Sequence, residues 1–276
     1  MSTADDSSNA RHRVERVRHQ LRVRLLSVAR VRRLTPAMVR VTLVGDDLAG
    51  FHSGAHDDHV KLFFPRPGEA TPVLPQLAEG RVLIDENNRP TARDYTPRRY
   101  DPQAGEHDID FALHESGPAS DWARAAKPGD AIGLAGPRGS FVVSDDFDWY
   151  LFIGDETTVP AIARRLEELR PETAVRAIIE VAEAGEEQSL PVHPRADVRW
   201  LHRDGVAPGD GSRLAEAVAA LTLPEGDGYV WIACESLTAK RLRETFLTAH
   251  GHPKAWLKAS GYWKAGVANA HEEHDD

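Results

Sequence analysis

The string "RDYTPR" at residues 93–98 puts several kinds of polar chemistry close together in the chain. If this string forms a strand, Arg93 and Tyr95 lie on one face and Thr96 on the other, because side chains alternate along a strand. That arrangement suits a ligand with an anionic end and a flat ring. The alternative is a solvated strand face that carries a cross-strand tyrosine.

Composition limits the classes of protein to be considered. The chain has 276 residues, 41% of them hydrophobic and 28% charged, which is enough for a packed core in one large or two ordinary domains. A net charge of -9 disfavours a general nucleic-acid binder. The single cysteine, Cys234, excludes an internal disulfide and a multi-cysteine metal site. We find neither a signal-type apolar segment at the N-terminus nor an apolar run of membrane length, which predicts a cytoplasmic protein.

Residues 21–147 are dominated by short β-like segments separated by Gly, Pro, Asn and Asp. Together with one convincing helix, "PASDWARAA", they predict a small antiparallel β-barrel. The predicted strands are "VRLLSVARVRRL", "MVRVTLVG", "HVKLFF", "RDYTPRRY", "HDIDFALH" and "DAIGLAG". Residues 1–20 are polar and then rich in arginine, which predicts a flexible basic arm or a surface helix.

Residues 148–276 show a different sequence pattern, in which apolar segments typical of strands alternate with segments typical of amphipathic helices. This alternation predicts a doubly wound α/β domain with a parallel sheet, which binds ligands at the carboxyl ends of its strands. The predicted strands are "WYLFIG", "AVRAIIEVA", "VRWLHR" and "YVWIAC". The predicted helices are "TVPAIARRLEEL", "GSRLAEAVAAL" and "LTAKRLRETFLTAH".

Seven strings, in order and at sensible spacing, resemble the ferredoxin-reductase-like flavoenzymes, and among them the siderophore-interacting proteins, the ferric-siderophore reductases. The resemblance runs from about Val23 to Gly266. It implies FAD as cofactor, NADPH or NADH as electron donor and a ferric siderophore as substrate. The strings are "LTPAMVRVTLVGDDLAGF", "DDHVKLFFP", "RDYTPRRYD", "DFALHESGPASDWARAAKPGD", "GPRGSF", "GDETTVPAIARRLEEL" and "ASGYWKAG".

The resemblance implies an FAD-binding role for the opening motif. Arg93 would pair with the pyrophosphate, where a guanidinium fork suits two phosphate oxygens. Tyr95 would pack on the isoalloxazine or ribityl portion, and Thr96 would hydrogen-bond near the reactive edge of the flavin.

"HESGPASDWA" would supply the second phosphate contact of the FAD site. Gly117 turns the chain, and the helix that begins at Ala119 and Ser120 presents its first N–H groups to an anion. An ordinary helix capped by Ser116 or Ser120 is the alternative. His114 is either a flavin contact or a satisfied histidine at the end of a strand.

The turn "GDETTVP" stands where many relatives of the wider superfamily carry a glycine-rich dinucleotide turn. Backbone N–H groups and the hydroxyl of Thr157 or Thr158 would then bind the donor, beside Asp155. Arg203 occupies the place where relatives hold the adenosine 2′-phosphate, which favours NADPH. Glu180 and Glu183 favour NADH, because a carboxylate prefers a ribose hydroxyl, so the choice of donor stays open.

A basic lining over the flavin is expected because many ferric siderophores are anionic. The candidates are Lys61, Arg138 and Lys264, and each could equally be an ordinary surface cation. Tyr262 and Trp263 cover the flavin or pack a C-terminal segment. Cys234 falls where relatives have a glycine, and a buried small residue is the favoured interpretation over a redox group.

Other functions find less support. The strings "HDDH" (residues 56–59) and "HEEHDD" (271–276) lack a recognised order of metal ligands, so no metal site is predicted. We find no nucleophile elbow and no phosphate loop. A reductase of a flavodoxin or ferredoxin carrier and a non-catalytic siderophore-binding protein remain as alternatives, and a monomer is expected.

Overall fold

The computed structural model of the chain describes residues 11–78, 81–114, 117–267 and 272–273. The described part of its first half contains one α-helix, α1 (Pro118–Ala125), and eleven strands. The strands are β1 (Val14–Arg18), β2 (Val23–Thr35), β3 (Met38–Val44), β4 (Val60–Phe64), β5 (Gln76–Ala78), β6 (Arg81–Leu83), β7 (Thr91–Tyr95), β8 (Arg99–Asp101), β9 (Glu106–Ala112), β10 (Ala131–Ala135) and β11 (Gly139–Val143).

Seven of these strands form one antiparallel sheet in the order β7-β4-β10-β2-β3-β9-β8, while β1 pairs with β11 and β5 with β6. The large sheet is curled. Strands β7 and β9 are not paired, yet the rings of Tyr95 on β7 and Phe111 on β9 lie only 4.4 Å apart. Alternating apolar residues, such as Val39, Val41 and Leu43 of β3, fill the inside of the curl. Helix α1 lies against this core.

The second half is a six-stranded sheet in the order β14-β13-β12-β15-β16-β17, parallel except for its last strand. Its elements are β12 (Trp149–Asp155), α2 (Val159–Glu168), β13 (Ala174–Val181), β14 (Ala196–His202), α3 (Ser212–Ala219), β15 (Gly228–Glu235), α4 (Ser236–Thr248), β16 (Leu257–Trp263) and β17 (Glu272–Glu273). Every residue of β12 is buried, because one face of the sheet packs on α2 and the other on α3 and α4. The predicted fold class, an antiparallel sheet domain followed by a parallel α/β domain, is confirmed.

Three local predictions differ from the structure. "RDYTPRRY" is not one strand: β7 ends at Tyr95 and β8 begins at Arg99, because Pro97 has no N–H to donate to a ladder. Residues 14–18 form strand β1 rather than a helix, because they pair with β11, which lies outside the seven-stranded sheet. Strand β16, which overlaps the first part of the motif "ASGYWKAG", was not predicted as a strand from the sequence pattern.

The described part of the chain has no helix that is both long and apolar enough to cross a membrane.

Candidate functional site

Arg93 is the cation at the centre of the predicted flavin site. It shares a face of β7 with Tyr95, since the two residues are two positions apart on the strand. Its Nη1 donates to the carbonyl of Ala92 at 2.7 Å, and no carboxylate within the described ranges pairs with it. A guanidinium has five N–H donors, so most of the donors of Arg93 remain available to an anionic ligand.

Tyr95 is held by an aromatic cluster between β7, β9 and α1. Its ring lies 4.4 Å from that of Phe111 and 6.4 Å from that of Phe64. Trp122 of α1 packs on both phenylalanines at 5.6–5.7 Å. Burial raises the pKa of the Tyr95 hydroxyl. The tyrosine is therefore a neutral, fixed flat surface beside Arg93.

The start of α1 is open toward solvent. Gly117 precedes the helix with a φ of 144°, and a side chain there would meet no heavy atom within 4 Å. Outside the gap at residues 115–116, no side chain caps the first turn, although the Gly117 N–H makes a long 3.4 Å contact with Asp121. Ala119 is buried. The first N–H groups of α1 are thus left for another acceptor.

The alternatives for this turn remain predictions. Ser120 does not cap α1 in the usual way, because its buried hydroxyl accepts a hydrogen bond from the His114 N–H at 3.0 Å. His114 is exposed between β9 and α1. Ser116 lies outside the described residues.

These features fit the pyrophosphate and ring of FAD. A cation without a carboxylate partner in the described chain lies on β7, and α1, which contacts β7, has an uncapped start. Groups of these two kinds stabilise bound anions in proteins, and the ring of Tyr95 is a flat surface of the kind on which a ring system packs.

Thr96 connects the end of β7 to the parallel sheet. It follows the last residue of β7, is 8% exposed, and its side chain hydrogen-bonds to that of Tyr262 on β16. The ring of Tyr262 packs on Trp231 of β15 at 6.0 Å. The sequence left the role of Tyr262 open, and no local pattern indicated this contact with Thr96.

Asp155 ends β12 at the carboxyl edge of the parallel sheet. Its carboxylate accepts hydrogen bonds from the N–H and hydroxyl of Thr157 and, at 2.8 Å, from the indole N–H of Trp263. Burial, reinforced by the charge of Glu156, raises its pKa to about 7. Thr158 is fully buried, and its hydroxyl donates to the Asp155 carbonyl at 2.7 Å. The hydroxyls of Thr157 and Thr158, which were predicted to bind the nicotinamide cofactor, therefore already make hydrogen bonds within the turn.

Arg203 follows β14 at the same edge of the sheet and is occupied by carboxylates. Its guanidinium makes a bidentate contact with Glu156, both N···O distances being 2.7 Å, and lies 3.5 Å from Glu180. Its side chain is only 5% exposed. Burial raises the pKa of Glu180. Recognition of a 2′-phosphate by Arg203 stays a prediction. It requires that the phosphate displace the carboxylate of Glu156 from the guanidinium.

The three candidate substrate cations differ in their surroundings. Lys61 of β4 is paired with Asp94 of β7 at 2.7 Å, so part of its charge is balanced locally. Arg138, in the turn before β11, is exposed. Lys264 is half-buried directly after β16, close in sequence to Tyr262. Their role at a substrate site stays a prediction.

The histidine–aspartate string at residues 56–59 joins the two sheets. Asp57 forms an ion pair with Lys258 of β16 at 2.8 Å and accepts the indole N–H of Trp231 at 3.3 Å. His56 packs on the same indole ring at 5.2 Å, and burial lowers its pKa to about 3. Among the described residues, no three or more His, Cys, Asp or Glu side chains come together in a way that could hold a metal ion, and part of the tail "HEEHDD" lies outside them.

Comparisons with known proteins agree on one family. The model of a siderophore-interacting FAD-binding domain matches residues 27–141, and that of a siderophore-interacting protein matches residues 147–266. The NADPH-dependent ferric-chelate reductase of Escherichia coli is 39% identical over 91% of this chain and 96% of its own length. The ferric vibriobactin reductase of Vibrio cholerae is 32% identical over 88% and 90%. The crystal structure of a siderophore utilization protein from T. fusca is 41% identical, with a TM-score of 0.88 over 94% of this chain and 98% of that one.

Proposed function

The chain belongs to the siderophore-interacting protein family, and on that premise we propose that it transfers electrons from NADPH through FAD to a ferric siderophore, releasing iron as Fe(II). The resemblance drawn from the sequence motifs is thereby confirmed. The observation that supports the function most directly is Arg93, without a carboxylate partner in the described chain, on a strand that α1 contacts.

Bound FAD supplies the chemistry, since it takes two electrons from a nicotinamide as hydride and gives them up singly, as Fe(III) requires. The residues of this chain hold and orient the groups involved. Arg93 and the first turn of α1 bind the pyrophosphate, Tyr95 packs on the ring system, and Thr96 lies at its edge. Hard siderophore oxygens suit Fe(III) better than Fe(II), so no residue needs to touch the iron.

The carboxyl edge of the parallel sheet, from Asp155 to Arg203, binds the NADPH. Lys61, Arg138 and Lys264 attract an anionic ferric complex. A carrier protein as partner, a monomeric state and a cytoplasmic location remain predictions from the sequence.

The test is the absorption spectrum of the purified protein under anaerobic conditions. We expect flavin bands that NADPH bleaches and that a ferric siderophore restores, with Fe(II) captured by a colorimetric chelator. The gallium complex of the same siderophore is the control, because it has the same shape and charge and accepts no electron. Protein that cannot take up FAD would contradict the proposal. Bleached protein that reacts with flavodoxin or ferredoxin but not with the ferric complex would favour the carrier-reductase alternative.

A further inference from the structure

A cavity of about 390 Å³ lies at the amino edge of the parallel sheet. It is formed where β12, β13 and β14 begin, and the segment after α3 closes one side of it. The proposed donor site is at the opposite edge, since Asp155 ends β12 and Arg203 follows β14. Strand β12 has seven residues, so the two edges are about 20 Å apart. The cavity is therefore separate from the donor site, and its volume is within the range of about 300–1,000 Å³ that is usual for small-molecule pockets.

The inner part of this cavity is apolar. Trp149 and Leu151 of β12 line it and are buried. Leu221 and Leu223, which follow α3, line it from the other side and pack on the same core cluster. A ligand with a flat apolar ring would remove its own surface and that of these side chains from water.

Arg195 adds a cation to the lining of the cavity. Its side chain is exposed, its Nη1 donates to the carbonyl of Glu172 at 2.9 Å, and no carboxylate within the described ranges pairs with it. The other arginine of the lining, Arg176, is already paired with Asp197 at 3.1 Å. Most of the five N–H donors of the Arg195 guanidinium are therefore available to an anionic group.

The backbone of Arg195 is held in place by hydrogen bonds on both sides. Its N–H donates to Nδ1 of buried His193 at 3.3 Å, and its carbonyl accepts from the N–H of Val175 on β13 at 3.1 Å. The Nε2 of His193 donates to the carbonyl of Arg170 at 3.1 Å, which leaves Nδ1 as the acceptor. Because this segment is already ordered, binding at Arg195 costs little backbone entropy.

We propose that this cavity is a second ligand site, which binds a small aromatic carboxylate. The ring of the ligand packs on the apolar inner surface, and its carboxylate pairs with the guanidinium of Arg195, where a planar fork suits two carboxylate oxygens. The site is at the amino edge of the sheet, so its ligand does not compete with NADPH at the carboxyl edge.

The test is isothermal titration calorimetry of the purified protein, saturated with FAD, with 2-naphthoate as the probe. We expect binding with a Kd of about 1 mM or lower. NADP⁺ added beforehand should leave this Kd unchanged. The neutral analogue 2-naphthylmethanol has the same ring and should bind about three- to tenfold more weakly, because it lacks the charge that Arg195 recognises.

Two variants examine the two parts of the cavity. Arg195→Gln should weaken the binding of 2-naphthoate about three- to tenfold and leave that of 2-naphthylmethanol unchanged. Leu223→Trp should abolish the binding of both probes, because the larger side chain fills the apolar part. Arg199→Gln is the matched control, since Arg199 is an exposed arginine of β14 that does not line the cavity, and its Kd for 2-naphthoate should equal that of the wild type.

Three results would overturn the proposal. Wild-type protein that does not bind 2-naphthoate would mean that the cavity does not accept an aromatic acid. Displacement of 2-naphthoate by NADP⁺ would place the probe at the donor edge. An Arg195→Gln protein with the wild-type Kd would show that Arg195 does not meet the carboxylate. None of these measurements depends on bleaching of the flavin by NADPH, so failure of the proposed function is distinct.

Discussion

Arg93 and Arg203 are both predicted to meet phosphate groups, yet their surroundings are opposite. Arg93 is half-buried, has no carboxylate partner in the described ranges and lies on a strand that the uncapped helix α1 contacts. Arg203 is buried and makes a bidentate contact with Glu156. An anion can bind to Arg93 without breaking an ion pair, whereas at Arg203 it must first displace a carboxylate. This difference is consistent with the proposal of a cofactor that stays bound at Arg93 and an electron donor that binds and leaves at Arg203.

The largest expected effect is at Arg93, which has no carboxylate partner in the described chain. Arg93→Ala should weaken FAD binding about tenfold to 150-fold, because hydrogen bonds to charged groups contribute about 1.5–3 kcal/mol. FAD titration of the apoprotein, followed by flavin fluorescence, measures the change.

Arg99→Ala is the control for Arg93→Ala, since Arg99 is exposed and paired with Asp101 at 2.6 Å. It should leave the FAD affinity unchanged. An Arg93→Ala protein that holds FAD as tightly as wild type would remove Arg93 from the pyrophosphate site.

The contact between Arg203 and Glu156 can be tested by removing the carboxylate of Glu156. Glu156→Gln should lower the KM for NADPH about fivefold while changing that for NADH little, because the 2′-phosphate then competes with a neutral amide. Arg203→Ala should raise the KM for NADPH much more than that for NADH. Steady-state kinetics with both donors measures the two effects.

Glu106→Gln serves as the matched control here, since it also removes a carboxylate that pairs with an arginine, Arg30, but on the antiparallel sheet. Equal effects of Glu156→Gln on both donors would mean that Arg203 does not meet the 2′-phosphate.

The raised pKa of Asp155, which lies at the same edge of the parallel sheet as Arg203, affects the stability of the protein. Folding raises this pKa from 3.8 to about 7, so the folded protein holds a proton that the unfolded chain has lost over that interval. The free energy of unfolding should therefore fall as pH rises from about 4 to about 7 and change little above, by at most about 4 kcal/mol. Urea unfolding of the flavin-loaded protein at several pH values measures this slope.

Asp155→Asn isolates the contribution, because the amide keeps an acceptor for Trp263 and does not titrate. Buried His56 and His107, whose pKa values burial lowers to about 3, act in the opposite direction and cancel in the difference between the two proteins. A slope that is the same in both would show that Asp155 is not the group responsible.

The smallest expected effect concerns the substrate cations. Lys61→Gln with Lys264→Gln should slow re-oxidation by an anionic ferric siderophore a few-fold at low salt, and added salt should narrow the gap. The effect is limited because Lys61 is already paired with Asp94. Stopped-flow measurement of each half-reaction should show wild-type bleaching by NADPH. An unchanged re-oxidation rate at low salt would place the basic lining elsewhere.

Local sequence patterns predicted the architecture because they reflect which faces are buried. The continuous apolar run of β12 follows from the burial of every residue of that strand, and the spacing of Val39, Val41 and Leu43 on β3 follows from the face that packs on the core. The division of "RDYTPRRY" into β7 and β8 was missed because both segments are strand-like, and only Pro97 separates them.

The contacts within the candidate site were harder to predict because they join distant segments. Glu156 and Arg203 are 47 residues apart and lie at the ends of different strands. Thr96 and Tyr262 come from different sheets, so neither has a neighbour in sequence that signals the other. Such pairs depend on how the sheets pack against each other, and the periodicity of hydrophobic residues in the sequence does not predict that packing.

The buried ion pair between Asp57 and Lys258 limits how this chain can be divided. Each partner is less than 10% exposed, and each belongs to a different half of the molecule. A fragment that ends before β12 would lose both Lys258 and Trp231, the side chains that contact Asp57, so the acid and the amine would each face water. When the two halves are expressed together, this ion pair should form again as they associate, as in a split-protein reporter.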